Sequence, residues 1–297
     1  MNANALQGIL WMFLTTLLFV MVTVVVRFLG DAIPASQAAF IRYVIGTLIL
    51  LPFIIPLIKQ SITKKDLIIY ILRGFAHGGG VILWFYAMSR IPMAEVTAIS
   101  YTGPIYISIG AAIFFGEKLA FRRIMAILIA FMGTLIILRP GFQVISIGQL
   151  AQVISAPLFA ISYLLSKELT KSHNSLVIVC MLSVFVTLTL TPAALTVWVQ
   201  PTMREIIGLG IVAILATLGH ITLTQAIKSA PIIIIQPISF LQLVWATLLG
   251  YFIFSEVVDI YVILGGLIII ISVTYISYRE MQLNIINKTP NNNYTKS

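Results

Sequence analysis

Ten stretches of the chain, roughly 7–29, 34–58, 67–89, 93–116, 122–139, 147–166, 175–199, 205–227, 231–254 and 258–277, run apolar with almost no charge between short polar joints. Most reach the ~20 residues that an α-helix needs to cross a ~30 Å hydrocarbon core. The strict alternation over about ten residues that marks the strands of a transmembrane barrel is absent. The pattern therefore predicts an all-α membrane protein of ten transmembrane helices. The first stretch has no Lys or Arg before Arg27 and no A-x-A pattern behind a short apolar core, so it is expected to stay as a helix rather than be removed as a leader.

Set against itself, the chain repeats. At an offset of 139, Ala87 meets Ala226, Pro92 meets Pro231, Ser100 meets Ser239 and Glu117 meets Glu256. At an offset of 140, Gly8 meets Gly148, Leu18-Phe19 meets Leu158-Phe159, Arg27 meets Lys167 and Pro52 meets Pro192. One residue of slippage near 59–66 reconciles the two registers, giving an internal duplication of five helices each. Five is odd, so the second copy enters the membrane from the opposite side. Inverted repeats are the build of many secondary transporters, with substrate bound near the midplane between the halves. Gly103-Pro104 and Gln236-Pro237 weaken the fourth and ninth stretches of the two halves, either as kinks in packed helices or as breaks that line a cavity.

Composition sharpens the class. The chain is 60% hydrophobic and only 9% charged over 297 residues, against about 25% charged in a soluble domain. The net charge of +9 is not a nucleic-acid signal, because of where the charges lie. With the N-terminus inside, twelve of the 18 Lys and Arg fall in inner joints and the tail, Lys64, Lys65, Arg122, Arg123 and Lys167 among them. Three (Arg90, Arg139, Arg204) fall outside, and Arg27, Arg42 and Arg73 lie within spans. That bias is the positive-inside pattern and puts both ends in the cytoplasm. The tail 278–297 is polar and expected to be disordered. Cys180 is the single cysteine, so no intrachain disulfide is available. Only nine acids are present, and no metal-binding or pyrophosphate cluster appears, which argues against a membrane-embedded enzyme.

Residues 88–141, MSRIPMAEVTAISYTGPIYISIGAAIFFGEKLAFRRIMAILIAFMGTLIILRPG, resemble the second part of an EamA domain of the drug/metabolite transporter superfamily. The resemblance rests on Pro92, Ala94-Glu95, Pro104, Gly116-Glu117 and Leu138-Arg139-Pro140. The second copy keeps Pro231 and Glu256 but has Ile234 opposite Glu95 and Ser255 opposite Gly116. It covers nearly the whole chain as two repeats, 6–139 and 147–277. It implies a ten-helix secondary transporter of the bacterial inner membrane with cytoplasmic termini, no cofactor and no ATPase. Within the superfamily the whole-chain likeness is to bacterial S-adenosylmethionine uptake transporters. Exporters of amino acids, drugs or other metabolites are the alternative it leaves open.

Ionisable groups inside lipid are costly and mark function by default. Arg27 and Arg73 lie near span ends and can snorkel to the interface. Arg42 is deeper, with Ala38, Ala39 and Gly46 on its side of the helix, so it is expected to face the interior. His77 and Trp84 share one stripe with Arg73 and Gly80; Thr217, His220, Thr224 and Lys228 form another. The glycines at 78–80 either admit a neighbouring helix or leave room for a ligand. Glu95 is open to four roles: a cationic substrate, a proton, Arg42, or the helix start. Glu117 and Glu256 read as charges that end helices. Tyr101, Tyr106, Gln236 and Trp245 complete a candidate substrate cavity expected between spans three, four, eight and nine, whose aromatics can stack a purine and face a cation. No metal is expected, since His77 and His220 lack ligand spacing and supporting carboxylates. Single cysteines placed in 59–66 and in 141–146 should be labelled from opposite sides of the membrane; labelling of both from one side would sink the topology.

Overall fold

The computed structural model describes residues 3–57, 62–115, 121–169, 171–173, 175–230, 235 and 238–288. Among these residues the chain forms helices and no strand: α1 (Ala3–Leu29), α2 (Ala35–Leu57), α3 (Lys64–Arg90), α4 (Met93–Ser100), α5 (Gly103–Phe115), α6 (Phe121–Leu138), α7 (Ile147–Leu169), α8 (Ser175–Leu195), α9 (Met203–Ser229), α10 (Leu241–Phe254) and α11 (Ile260–Lys288). Seven apolar stretches are long enough to cross a membrane (α1, α2, α3, α4 with α5, α7, α8 and α9), and three shorter apolar helices accompany them, Ile124–Leu138, Leu241–Phe254 and Ile260–Ile276. Bulky apolar side chains such as Phe75, Met132, Leu188, Phe252 and Ile271 point outward and exposed, a surface suited to lipid rather than water. The last helix continues to Lys288, so the polar stretch after 278 stays helical over its first part; 289–297 lie outside the described residues.

Local chemistry sets the helix ends. Thr63 Oγ1 accepts from Asp66 N at 3.1 Å and starts α3, and Thr202 with Glu205 forms a capping box at α9. α10 stops at Ser255, which adopts the left-handed conformation with φ 53°. The fourth apolar stretch is two helices, broken at Tyr101-Thr102. There Tyr101 N and Thr102 N bond only three residues back, to Ala98 O and Ile99 O, and Pro104 has no N–H to return to Ser100 O. Proline sits without cost in the first turn of α5, where no donor is needed.

Because consecutive helices reverse, Leu29, Arg90, Met93, Leu138 and Phe254 gather at one end of the bundle (the Arg90 end). Leu57, Lys64, Phe115, Leu169 and Ser229 gather at the other (the Lys64 end). Packing obeys the repeat. α1 packs chiefly on α9, and α3, the repeat mate of α9, packs chiefly on α7, the mate of α1. Two more pairs, α2 with α8 and α6 with α11, join each helix to its own mate. The register holds at single residues. A Cβ on Gly8 would stand 2.4 Å from Ala230 Cβ, and one on Gly148 would stand 2.8 Å from Ile91 Cγ2; Gly8 and Gly148 are repeat partners, as are Ile91 and Ala230 at the 139 offset. Two apolar cores result, one from α1, α2, α3, α8 and α9, the other from α4, α5, α6, α10 and α11. Each mixes both repeats.

The crossing of α6 and α11 is backbone on backbone. A Cβ on Gly265 would lie 2.5 Å from Gly133 O, a contact that helix interfaces in lipid reserve for small residues. Gly265→Ala should therefore cost about 1–3 kcal/mol through overpacking, lowering the unfolding midpoint in detergent. Gly210→Ala, with nothing within 4 Å of the added carbon, should hold or raise it, since alanine is the better helix former by about 1 kcal/mol.

Candidate functional site

Between α2, α8 and α9 lies a cavity of about 350 Å³. Arg42, Tyr43 and Gly46 line it from α2, Leu182 and Ser183 from α8, and Ala213, Thr217 and His220 from α9. Leu50, Phe53, Leu176, Thr224 and Gln225 extend the lining toward the Lys64 end. A second, smaller cavity of about 40 Å³ at the Arg90 end is lined by Asp31, Arg90 and apolar neighbours and has room for about one water.

Arg42 is the cavity's cation. Its guanidinium lies 4.0 Å over the Tyr43 ring, and no carboxylate among the described residues pairs with it. Tyr43 is fixed from behind, with its hydroxyl 2.9 Å from His77 Nε2. His77 Nδ1 lies 3.1 Å from Ser162 Oγ, so a polar chain runs from α2 through α3 to α7. The edge of His77 meets Phe159 with ring centres 5.1 Å apart. Across the cavity, His220 belongs to the wall while its ring edge packs on Phe19, with centres 5.3 Å apart. Thr217 and Thr224 return their hydroxyl protons to Ala213 O and His220 O, both at 2.8 Å, leaving lone pairs toward the space. Ser183 accepts from Thr47 Oγ1 at 3.0 Å. A rigid cation, aromatic edges and hydroxyl acceptors make a pocket fitted to a small molecule with an anionic group.

Of the residues singled out from the sequence, Arg42, Gly46, Thr217, His220 and Thr224 meet in this cavity, and His77 stands directly behind its wall. The other candidate substrate residues do not line it. Trp84 packs edge-on against Phe85 and Phe159. Glu95 is buried and accepts a hydrogen bond from Gln149 Nε2. Tyr106 meets Phe131 edge-on at 5.8 Å, and Trp245 Nε1 donates to Thr16 Oγ1 at 3.3 Å. Tyr101 donates to Ser239 O and Phe240 O at 3.3 and 3.4 Å. Gln236, Pro237 and Glu117 lie outside the described residues. The glycines at 78–80 admit neighbours: carbons added at Gly80 and Gly78 would lie 3.1 Å from the Phe159 ring and 3.3 Å from Thr189 Cγ2.

The Arg90 end is held by charge. Arg27 Nη2 meets Glu256 Oε1 at 3.0 Å and Arg27 Nη1 donates to Met88 O at 3.4 Å, while Glu256 Oε2 accepts from Met93 N at 2.9 Å. One carboxylate thus caps α4 and pairs with α1. Arg90 pairs with Asp31 at 2.8 Å, and Arg139 with Asp259. Gln37 clamps the backbone of Val199 through both amide atoms, at 2.6 and 2.9 Å. Arg27 therefore turns inward to a partner instead of to the membrane surface, and so does Arg73, buried with Nη1 donating to Ile178 O at 3.0 Å. The signal for the Arg27–Glu256 pair was present in the register: Arg27 and Lys167 are repeat mates, as are Glu117 and Glu256. Inversion sets one repeat's cation beside the other's acid.

This arrangement of repeats with a pocket open between their helices suits a membrane transporter, and the chain belongs to the EamA-like transporter family, which matches it over residues 6–139 and again over 146–278. The chain is 27% identical over 273 residues to the S-adenosylmethionine uptake transporter of Rickettsia bellii, covering 92% of this chain and 94% of that one. It is 29% identical over 289 residues to the riboflavin transporter of Vibrio cholerae, covering 93% and 95%. It is 25% identical over 274 residues to the pseudopaline exporter CntI of Pseudomonas aeruginosa, covering 90% and 94%. A crystal structure with 16% identity shares the fold at a TM-score of 0.57 over 93% of this chain and 98% of the other. The family and these relatives are transporters, not enzymes.

Removing Arg27 leaves Glu256 buried without its cation, which costs about 3 kcal/mol at the low end for a broken buried pair. Arg27→Ala should lower thermal stability in detergent by that amount. Adding Glu256→Gln should recover part of the loss, because no charge is then stranded; a double-mutant cycle reads the coupling.

Proposed function

We propose that the protein is a ten-helix secondary transporter of the bacterial inner membrane, with two inverted repeats of five helices, both termini cytoplasmic, that imports S-adenosylmethionine by alternating access. Apolar helices α6, α10 and α11 complete the ten, two of them too short to span unless the bilayer thins or flanking residues reach to the interface. In this orientation the Lys64 end is cytoplasmic, the cavity extends toward it, and the ion pairs of the Arg90 end close the outer side.

The observation that carries the reading is Arg42, a cation within an apolar bundle with no carboxylate of its own among the described residues. Such a charge calls for an anionic group on what it binds, and the amino-acid carboxylate of S-adenosylmethionine supplies one. Full-length likeness to several S-adenosylmethionine uptake transporters favours that substrate. Likeness to an exporter favours a second reading, outward movement of another carboxylate-bearing metabolite through the same pocket. Trp84, Tyr106 and Trp245 stand off the cavity wall and give it no stacking surface for a purine.

Uptake of labelled S-adenosylmethionine into a host without such a transporter decides between these. Saturable uptake blocked by S-adenosylhomocysteine, but not by methionine or a lipophilic cation, is expected. Arg42→Ala should raise the half-saturating concentration roughly 10- to 100-fold, the loss of one charge-assisted hydrogen bond of about 1.5–3 kcal/mol. Arg42→Lys should lose less. Well-expressed protein that accumulates no S-adenosylmethionine would overturn the substrate.

A further inference from the structure

Around α4 at the Arg90 end, the charges balance except for one. Arg27 pairs with Glu256, Arg90 with Asp31, and Arg139 with Asp259. Glu95 stands on α4 beside them, 7% exposed, and no cation among the described residues is paired with it. α4 packs against α10, α11 and α7, and α7 presents the amides Gln149 and Gln152 to it. An uncompensated carboxylate inside an apolar bundle is costly, and such groups in membrane proteins mark ion and proton pathways.

The hydrogen bonds show what the carboxylate lacks. Gln149 Nε2 donates to Glu95 Oε1, and Gln149 is held in that pose because its Oε1 accepts from Ser146 N at 2.8 Å. One turn along α7, Gln152 Nε2 donates to Ser100 Oγ at 2.8 Å, while Gln152 Oε1 is buried without a donor. As a carboxylate Glu95 can only accept, whereas a carboxyl group can donate as well. Glu95 and Ser100 belong to the first repeat, Gln149 and Gln152 to the second, so these two hydrogen bonds join the repeats.

We infer that Glu95 is a proton-binding site, separate from the substrate cavity, that couples proton movement to the shift of α4 against α7. The step is association of one proton with a carboxylate oxygen, and no other bond forms or breaks. With the proton bound, the group is a donor as well as an acceptor and the face is neutral. With it released, the charge favours the conformation that opens this face to water. The inference rests on the alternating-access reading and not on the identity of the substrate.

Infrared difference spectra of the purified protein between acid and alkaline pH, without substrate, test it directly. A carboxyl stretch that titrates in the wild type should be lost in Glu95→Gln, which mimics the protonated group, and should return with a shifted midpoint in Glu95→Asp. In proteoliposomes, an inward proton gradient should accelerate uptake of labelled S-adenosylmethionine by the wild type, and Glu95→Gln should lose that acceleration while keeping exchange of internal for external label. An unchanged carboxyl band in folded Glu95→Gln overturns the proposal, as does uptake driven by a sodium gradient and indifferent to the proton gradient. A titrating Glu95 band with no S-adenosylmethionine uptake upholds the proton site and removes only the substrate.

Discussion

Lipid offers a backbone no hydrogen bonds, so a chain that leaves the helix inside the membrane must find its partners in the protein. Everything central in this bundle follows from how that demand is met. The break at Tyr101-Thr102 has its repeat mate at Phe240, where α10 begins after a turn. The two meet: Tyr101 reaches the carbonyls of Ser239 and Phe240, and its ring packs edge-on against Phe240 with centres 5.1 Å apart. One interruption thus satisfies the other, and the interior of the molecule is fixed where both repeats are weakest as helices.

The all-helical class, the duplication and the family were legible in the sequence, because apolar runs of membrane length recur along it and the register of the repeat survives in Gly8, Gly148, Pro92 and Pro231. The stripes were legible too: Thr217, His220 and Thr224 do share one face of α9. Which helices face one another was not. Periodicity assigns a residue to a side of its own helix, but the cavity lies between α2, α8 and α9, and only packing decides that. Small residues were ambiguous for the same reason. Gly80 admits Phe159, whereas Gly46 lies open on the cavity wall. Mid-span aromatics were equally ambiguous, since a hydroxyl on a neighbouring helix satisfies Trp245 as well as a ligand would.

Charge is distributed by the same inversion that distributes helices. At the Arg90 end, an arginine of the first repeat meets a glutamate of the second, and the carboxylate serves as a helix cap at the same time. At the Lys64 end, Glu168 takes Lys65 at 3.3 Å and Asp66 lies 3.4 Å from His173. Few of these pairs are deep, and exposed ones add little stability. Their effect is positional: Arg27–Glu256, Arg139–Asp259 and Lys65–Glu168 tie one repeat to the other at the rims, and leave Arg42 as the cation that looks into the cavity.

The mixing of repeats within each core also governs how such a protein can be made. α1 must wait for α9, its chief partner, while some 170 residues are synthesised between them, and Gly8 and Phe19 have no facing surface until then. Meanwhile α1 lacks the helix that covers its small-residue face. Assembly is a late, long-range event. For the same reason a single repeat, before duplication, could have buried these faces only against a second copy inserted the other way up, which makes the antiparallel pair, and not the five-helix unit, the smallest thing in this architecture that packs.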